Sequence, residues 1–233
     1  MSLLEEVLEA HGGRQRWAKL RTIEMSLASG GLAFTMHMQR TAFHSMKVTV
    51  WPHEPRVELV GVVKPGWRGV FAGDRVELFD ETGAKVGARD RPRAGFDKLS
   101  KNFVWDDLDI LYFGAYAIGN YISFPFILDD PKVQVEARRD GGDQLVATFD
   151  PSIATHSRVQ VFHVDEARHL TRHDYTADVM GGWANAANLC RASEVVDGLR
   201  FYTRRIVHPR FGARRVVHFP TLVWIEIEDL RVT

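Results

Sequence analysis

The stretch HLTRHDYTADVMGG, His169 to Gly182, sets a guanidinium, an imidazole, a carboxylate and a phenol at four consecutive positions: Arg172, His173, Asp174 and Tyr175. An imidazole ionises near neutral pH and serves as general acid or base, and a phenol donates a hydrogen bond to a developing oxyanion. On a strand, however, alternate side chains face opposite ways. Arg172, Asp174, Thr176 and Asp178 then share one face, and His173, Tyr175, Ala177 and Val179 the other. The second set is the more apolar and is assigned to the interior, while Arg172 and Asp174 are expected to form cross-strand ion pairs outside. His173 and Tyr175 are thus the candidate catalytic pair. The competing reading makes them partly buried residues whose hydrogen bonds are satisfied structurally.

The preceding run THSRVQVFHV sorts in the same way, with His156, Arg158, Gln160 and Phe162 on one side and Ser157, Val159, Val161 and His163 on the other. Paired with the His173 strand through the turn Asp165–Arg168, it would bring His156 or His163 near His173 or Tyr175. A one-residue slip in register would exchange the faces. A third contribution comes from the apolar run NFVWDDLDILYFGAYAIGNYISFPF, where Tyr112, Tyr116 and Asn120 recur at i, i+4 and i+8 as one helical stripe with polar tips. Buried phenols and amides need partners, so these tips either bond to the sheet or point into a ligand pocket. Tyr112, Tyr116, Asn120 and His156 are the candidate ligand-binding residues.

Other chemistries find little support. The ten histidines include no H-E-x-x-H spacing, and the lone Cys190 makes no C-x-x-C, so neither a metal nor a cofactor is expected. There is no G-x-S-x-G, and Ser157 and His156 point apart on a strand, which disfavours a serine hydrolase. No phosphate loop occurs in GDRVELFDETGAKVGARDRPRAGF; Arg91 and Arg93 there would bind an anionic head group or simply be solvated. Arg204, Arg205, Arg210, Arg214 and Arg215 read as a basic surface hairpin.

The elements that position these residues are mostly strands. Ser2 and Glu5 make a capping box for a helix that Gly12 and Gly13 stop, and a second short helix, RQRWAKL, turns Trp17 and Leu20 to the same side. Period-two runs then predict strands over Thr22–Ala28, Leu32–Gln39, Phe43–Trp51, Arg56–Val62, Arg75–Phe79 and Lys85–Arg89. The central helix follows, with Asp106 or Asp107 as N-cap and Pro125 closing it, apolar on nearly all sides and hence enclosed by protein. After it come Lys132–Arg138, Gln144–Phe149, Arg158–Val164, Leu170–Val179, Asn185–Val195, Arg200–His208 and Val216–Arg231, the last broken near Pro220. The segments RDGGD and VDG read as hairpin turns. The fold class is mainly β: a curved antiparallel sheet wrapped around a central apolar helix, with a short N-terminal helical segment, forming one domain over residues 1–233.

Thirty basic and thirty acidic side chains cancel, so no global field favours nucleic acid. The lone cysteine excludes an internal disulfide. The acidic N-terminus lacks the apolar core of a secretory signal, and the apolar run is interrupted by Asp109, Gly114, Asn120, Ser123 and Pro125; a cytoplasmic protein without integral membrane association is expected.

AHGGRQRWAKLRTI, the central helix, IATHS, RHDYTADVMGG and VDGLRFYTRRIV together resemble a bacterial family that shares HGG-x-x-x-W, a Tyr-Phe-x-x-Tyr-Ala-x-x-Asn-Tyr helix, RHDY and a D-G-x-x-x-x-T-R-R strand. The match runs from His11 to Arg205 and implies no particular activity. The architecture resembles the half-barrel of the lipoprotein carriers LolA and LolB, shared by LppX and VioE, in which a sheet curls around helices to leave an apolar cavity. That resemblance implies a cavity rather than a reaction, since its members carry lipids or perform cofactor-free chemistry. The chain departs from the carriers in lacking a signal peptide and a lipobox cysteine. The leading expectation is a binder of a small hydrophobic or amphipathic molecule between the sheet and the central helix. Its alternatives are a cofactor-free isomerase, cyclase or hydrolase using a histidine acid/base, and a scaffold or partner-binding protein.

Overall fold

A computed structural model describes residues 1–39, 43–139, 141–212 and 215–233. Its elements begin with α1 (Leu3–Ala10), α2 (Arg14–Trp17), β1 (Ile23–Gly30), α3 (Leu32–Met36), β2 (Met46–Trp51), β3 (Arg56–Val60), β4 (Arg68–Ala72), β5 (Arg75–Phe79) and β6 (Lys85–Asp90). Then follow α4 (Asp107–Ile122), β7 (Val133–Arg138), β8 (Gln144–Phe149), β9 (Val159–Val164), β10 (Leu170–Thr176), β11 (Asn185–Val196), β12 (Leu199–Phe211), β13 (Arg215–Val216) and β14 (Val223–Val232). The chain divides into two compact units, one of Met1–Leu20 with Asn120–Thr221 and one of Arg21–Gly119 with Leu222–Thr233. No helix among the described residues is long and apolar enough to cross a membrane.

The first unit carries the antiparallel order β12-β11-β10-β9-β8-β7, with β13 on β12. Its helix α1 starts as the capping box predicts: the Glu5 amide donates to Ser2 Oγ at 3.2 Å and the Ser2 amide to Glu5 Oε2 at 2.7 Å. It stops at Gly12 and Gly13, whose φ of +109° and +82° glycine alone adopts without strain. A Cβ on Gly12 would run into the carbonyl oxygen of Gly198, so two glycines of the sequence signature, in HGG and in VDG, face each other because the chains approach too closely for a side chain. Trp17 stacks on Phe126 at 4.5 Å, and Leu3, Val7, Phe124, Leu145, Phe149 and Phe162 join one core beside them. Each such fully buried side chain contributes roughly 1.5–3 kcal/mol.

The second unit is an antiparallel meander in the order β6-β5-β4-β3-β2-β1, closed by β14 on β1. The N-cap of α4 is Asp106, whose Oδ1 accepts from the Leu108 and Asp109 amides, both at 3.0 Å. Asp109 returns the bond by accepting from the Asp106 amide at 3.0 Å. Ile110, Leu111, Ala115 and Tyr116 are buried, as an all-round apolar helix requires.

Several expected elements need correction. Leu32–Gln39 is no strand; Leu32–Met36 is a helical turn that buries Ala33 and Phe34 and exposes Leu32 and Met36. A strand absent from the sequence reading, β4, runs through Gly69, where a Cβ would collide with Leu111 of α4. The helix α4 is shorter than its apolar run, α2 is a single turn, and β10 ends at Thr176, giving way to a short 3-10 turn at Asp178–Met180. Asp140 of the RDGGD turn and Arg214 of the basic segment lie outside the described residues.

Candidate functional site

The register β9–β10–β11 decides which face His173 occupies. His173 pairs with Phe162 on one side and Asn188 on the other, and Tyr175 pairs with Ala186. Residues directly opposite share a face, so Gln160, Phe162, His173, Tyr175, Ala186 and Asn188 all project the same way. The face is buried: His173 and Gln160 are 3% and 2% exposed and Asn188 is wholly enclosed. Asp174 projects to the other side, where Arg172 grips it bidentately, Nε to Oδ1 and Nη2 to Oδ2, both at 2.6 Å. His163 adds a contact at 3.1 Å. The principal ion pair therefore runs within one strand rather than across strands, and its carboxylate is covered rather than outside. Burial opposes the charge of Asp174, but the bonds from His163 and Arg172 outweigh it and hold its pKa below the ordinary carboxylate value.

On the buried face the polar groups satisfy one another. The Tyr121 hydroxyl, from the last turn of α4, stands 2.6 Å from His156 Nε2 and 2.7 Å from the Tyr175 hydroxyl. The His156 and Tyr175 rings stack at 4.0 Å. Gln160 donates from Nε2 to the Ser157 carbonyl at 2.8 Å and to Thr155 Oγ1, which fixes the orientation of its amide. Its Oε1 therefore faces His173 Nε2, at 2.6 Å, and that nitrogen must carry the proton. Burial, then the neighbouring His156 and Arg205, hold His173 neutral, its pKa well below 6.5. Burial likewise pushes the Tyr121 phenol up to about 12. At neutral pH His173 and Tyr121 are thus uncharged members of the cluster.

Two residues break this pattern. The Asn188 carboxamide makes one loose hydrogen-bonding contact, with the Tyr121 hydroxyl, whose ionised form it favours, and no well-formed hydrogen bond reaches either of its polar atoms among the described residues. Arg205, paired with Cys190 across β11 and β12, is 1% exposed and has no carboxylate partner among the described residues. Its Nη2 donates to the Tyr121 carbonyl at 3.0 Å, at the negative end of α4, and its Nη1 to Cys190 Sγ at 3.3 Å. The guanidinium lies 4.8 Å from the Tyr121 ring and 5.3 Å from that of Tyr202, while Nε is left without a partner. Arg205 is therefore no part of a basic surface hairpin.

The remaining sequence candidates fall elsewhere. Asn120 donates from its side chain to the Ala154 carbonyl at 3.0 Å, a structural bond of the first unit. Tyr112 and Tyr116 belong to the second unit, their rings 5.0 Å apart, with Phe71 and Phe96 packed on Tyr112. Burial raises the Tyr112 pKa, partly offset by Arg93, which is thereby engaged rather than free for an anion. The second unit also has an open cleft of about 490 Å³, rimmed by Trp67, Trp105 and Leu108. At its rim Arg89 meets Asp109 at 2.6 Å and Asp106 at 2.8 Å, and Lys101 bonds both of those carboxylates.

The wall of the first unit contains a pH-sensitive joint. His11, wholly buried, bonds from Nδ1 to the Val7 carbonyl at 2.7 Å and from Nε2 to the Tyr202 hydroxyl at 2.8 Å. A carbonyl only accepts, so Nδ1 carries the proton and Tyr202 donates to Nε2. Burial, only partly countered by Val7, lowers the His11 pKa from 6.5 to about 4. The unfolded state therefore takes up a proton first, so the stability present above pH 6.5 is lost as pH falls towards 4, by about 3 kcal/mol. Thermal unfolding from pH 7 to pH 4 is expected to show this loss. In His11→Gln the slope should be shallower, and equal slopes would refute the assignment.

These features define a class: a mainly β, antiparallel protein with a hydrogen-bonded polar cluster and, among the described residues, a buried arginine on the covered face of its sheet. Among solved structures the chain is similar to a DUF1329-family protein from Desulfovibrio piger, with a TM-score of 0.54 and 12% identity over 99% of this chain and 91% of that one. It is equally similar to a LolA-superfamily protein from Nitrosomonas europaea, at a TM-score of 0.54 and 10% identity over 100% and 94%. The Mycobacterium tuberculosis lipoprotein LppX aligns over 98% of this chain and 94% of its own, with a TM-score of 0.34 and 10% identity. No protein-family model matches the chain, and no curated protein sequence does. The first two likenesses show the fold: it is the LolA-like antiparallel half-barrel.

Proposed function

We propose that the protein binds one small hydrophobic or amphipathic molecule against the polar cluster of the first unit. The observation that carries this reading is Asn188, wholly buried with no well-formed hydrogen bond to either carboxamide atom and only a loose contact with the Tyr121 hydroxyl, beside Tyr121, Tyr175, His156, His173 and Gln160, which are all hydrogen-bonded. An unmet buried polar group costs about 1–3 kcal/mol, which a ligand's polar group would relieve. A few placed polar groups in an apolar wall are the usual composition of a small-molecule site. The resemblance to LolA-like half-barrels, whose sheet curls round an apolar cavity, supports the same reading. Acid/base catalysis by His173 and Tyr175 is less well supported, because an imidazole held well below 6.5 is a weak base and its Nε2–H is already engaged by Gln160.

Titration with the neutral dye N-phenyl-1-naphthylamine tests this reading. Saturable fluorescence enhancement at one dye per chain, reversed by decan-1-ol, is expected. A linear, unsaturable response would overturn it.

A further inference from the structure

We propose that Arg205 and Asn188 form a seat for a carboxylate, so that the bound molecule is an amphipathic carboxylic acid. This deepens the proposed function and rests on it.

Arginine cannot shed its proton in a protein, so Arg205 is a permanent positive charge. Held 1% exposed, it would ordinarily be paired with a carboxylate, because an unpaired buried ion is strongly unfavourable. Its partners are instead one backbone carbonyl, one thiol and two aromatic faces, none of them a full negative charge. Burial raises the pKa of Cys190, so the thiol brings no countercharge at neutral pH.

The unused donors define the missing group. Arg205 Nε is a donor with no partner, and the Asn188 carboxamide, beyond its loose contact with the Tyr121 hydroxyl, has no well-formed hydrogen bond. Across β11 and β12, Asn188 pairs with Val207 and Cys190 with Arg205, so Asn188 and Arg205 are diagonal neighbours on one face. Two unfilled donors on diagonal neighbours beside a single positive charge fit two oxygens sharing one negative charge, which describes a carboxylate better than a phosphate dianion. The Oδ1 of Asn188 would accept from a hydroxyl or N–H next to that carboxylate. Access is favoured at Cys190, which touches the guanidinium and is itself partly exposed.

Calorimetric titration with three probes separates the possibilities: decanoate, decan-1-ol and acetate. The proposal expects decanoate to bind at least tenfold more tightly than decan-1-ol, and acetate to bind far more weakly than either, because the seat serves a molecule with a tail. Equal binding of decanoate and decan-1-ol would overturn the carboxylate seat while leaving the proposed function standing. Failure of both long-chain probes would overturn the two together, and acetate binding as tightly as decanoate would replace the amphiphile with a small free anion. Asn188→Asp supplies a second readout by placing a built-in carboxylate beside Arg205. Its melting temperature should rise above that of the native protein and its preference for decanoate over decan-1-ol should vanish. A fall in melting temperature with the preference retained would contradict the proposal.

Discussion

Gly12→Ala is expected to destabilise the protein by about 4 kcal/mol. Two terms add. At φ +109° an L-residue sits outside its allowed regions, which costs about 1–3 kcal/mol. The new Cβ would also meet the Gly198 carbonyl oxygen, a backbone atom that cannot swing aside as a flexible side chain does. Moving it would displace the turn into β12, and with it Tyr202 and Arg205. Gly73→Ala is the control, since Gly73 also has positive φ, +61°, but nothing within 4 Å of its would-be Cβ; about 1 kcal/mol is expected there. Denaturant unfolding of the two variants measures the difference, and equal losses would show that the α1–β12 approach is not tight.

Tyr202→Phe is expected to cost a similar amount, about 4 kcal/mol, although it removes only one oxygen. The hydroxyl accepts from the Leu170 amide and donates to His11 Nε2, so its loss strands two buried groups at once. Each stranded group costs about 1–3 kcal/mol. The hydroxyl also joins three parts of the sequence signature: the HGG histidine, the strand that carries RHDY, and the strand that carries TRR. A loss below 1 kcal/mol in urea unfolding would mean that water or a rearrangement replaces the hydroxyl, and that these segments are not held together through it.

Those motifs illustrate what was legible in the sequence. Period two assigned His173 and Tyr175 to the buried face, because a strand's side-chain alternation is local and rigid; it left His156 and His163 both open as neighbours, and it is His156, preceding β9, that stacks on Tyr175, while His163 faces Asp174. The capping box of α1 and the enclosed α4 were legible for the same local reason. Leu32–Met36 was misread because Leu32, Phe34, Met36 and Met38 alternate like a strand. Leucine, alanine and methionine also favour helix, and here the turn buries adjacent rather than alternate residues. The strand through Gly69 was hidden because its glycine answers to a distant partner, Leu111, which no local pattern encodes.

In the candidate site, the stripe Tyr112, Tyr116 and Asn120 selected the wrong face of α4 for the histidine cluster. One residue on, a rotation of about 100°, lies Tyr121, which makes the contacts with His156 and Tyr175. Arg205 was grouped with its charged neighbours, although period two places it on the same face as Val207 and opposite to Arg204. Asn188 shares its phase with Ala186 and Cys190. An inward-phase polar residue was a signal available in the sequence, but its lack of a well-formed hydrogen bond became visible only in three dimensions.

The central claim, that a ligand is held at the covered polar cluster of the first unit, is tested most directly by mapping backbone and side-chain ¹H–¹⁵N shifts during titration with decan-1-ol. The account predicts saturable shifts concentrated at the Asn188 carboxamide, Arg205 Nε–H and the amides of Tyr121, His173 and Tyr175. Shifts confined to exposed apolar residues such as Trp183, Phe211 and Phe219, with the cluster unchanged at saturation, would contradict it.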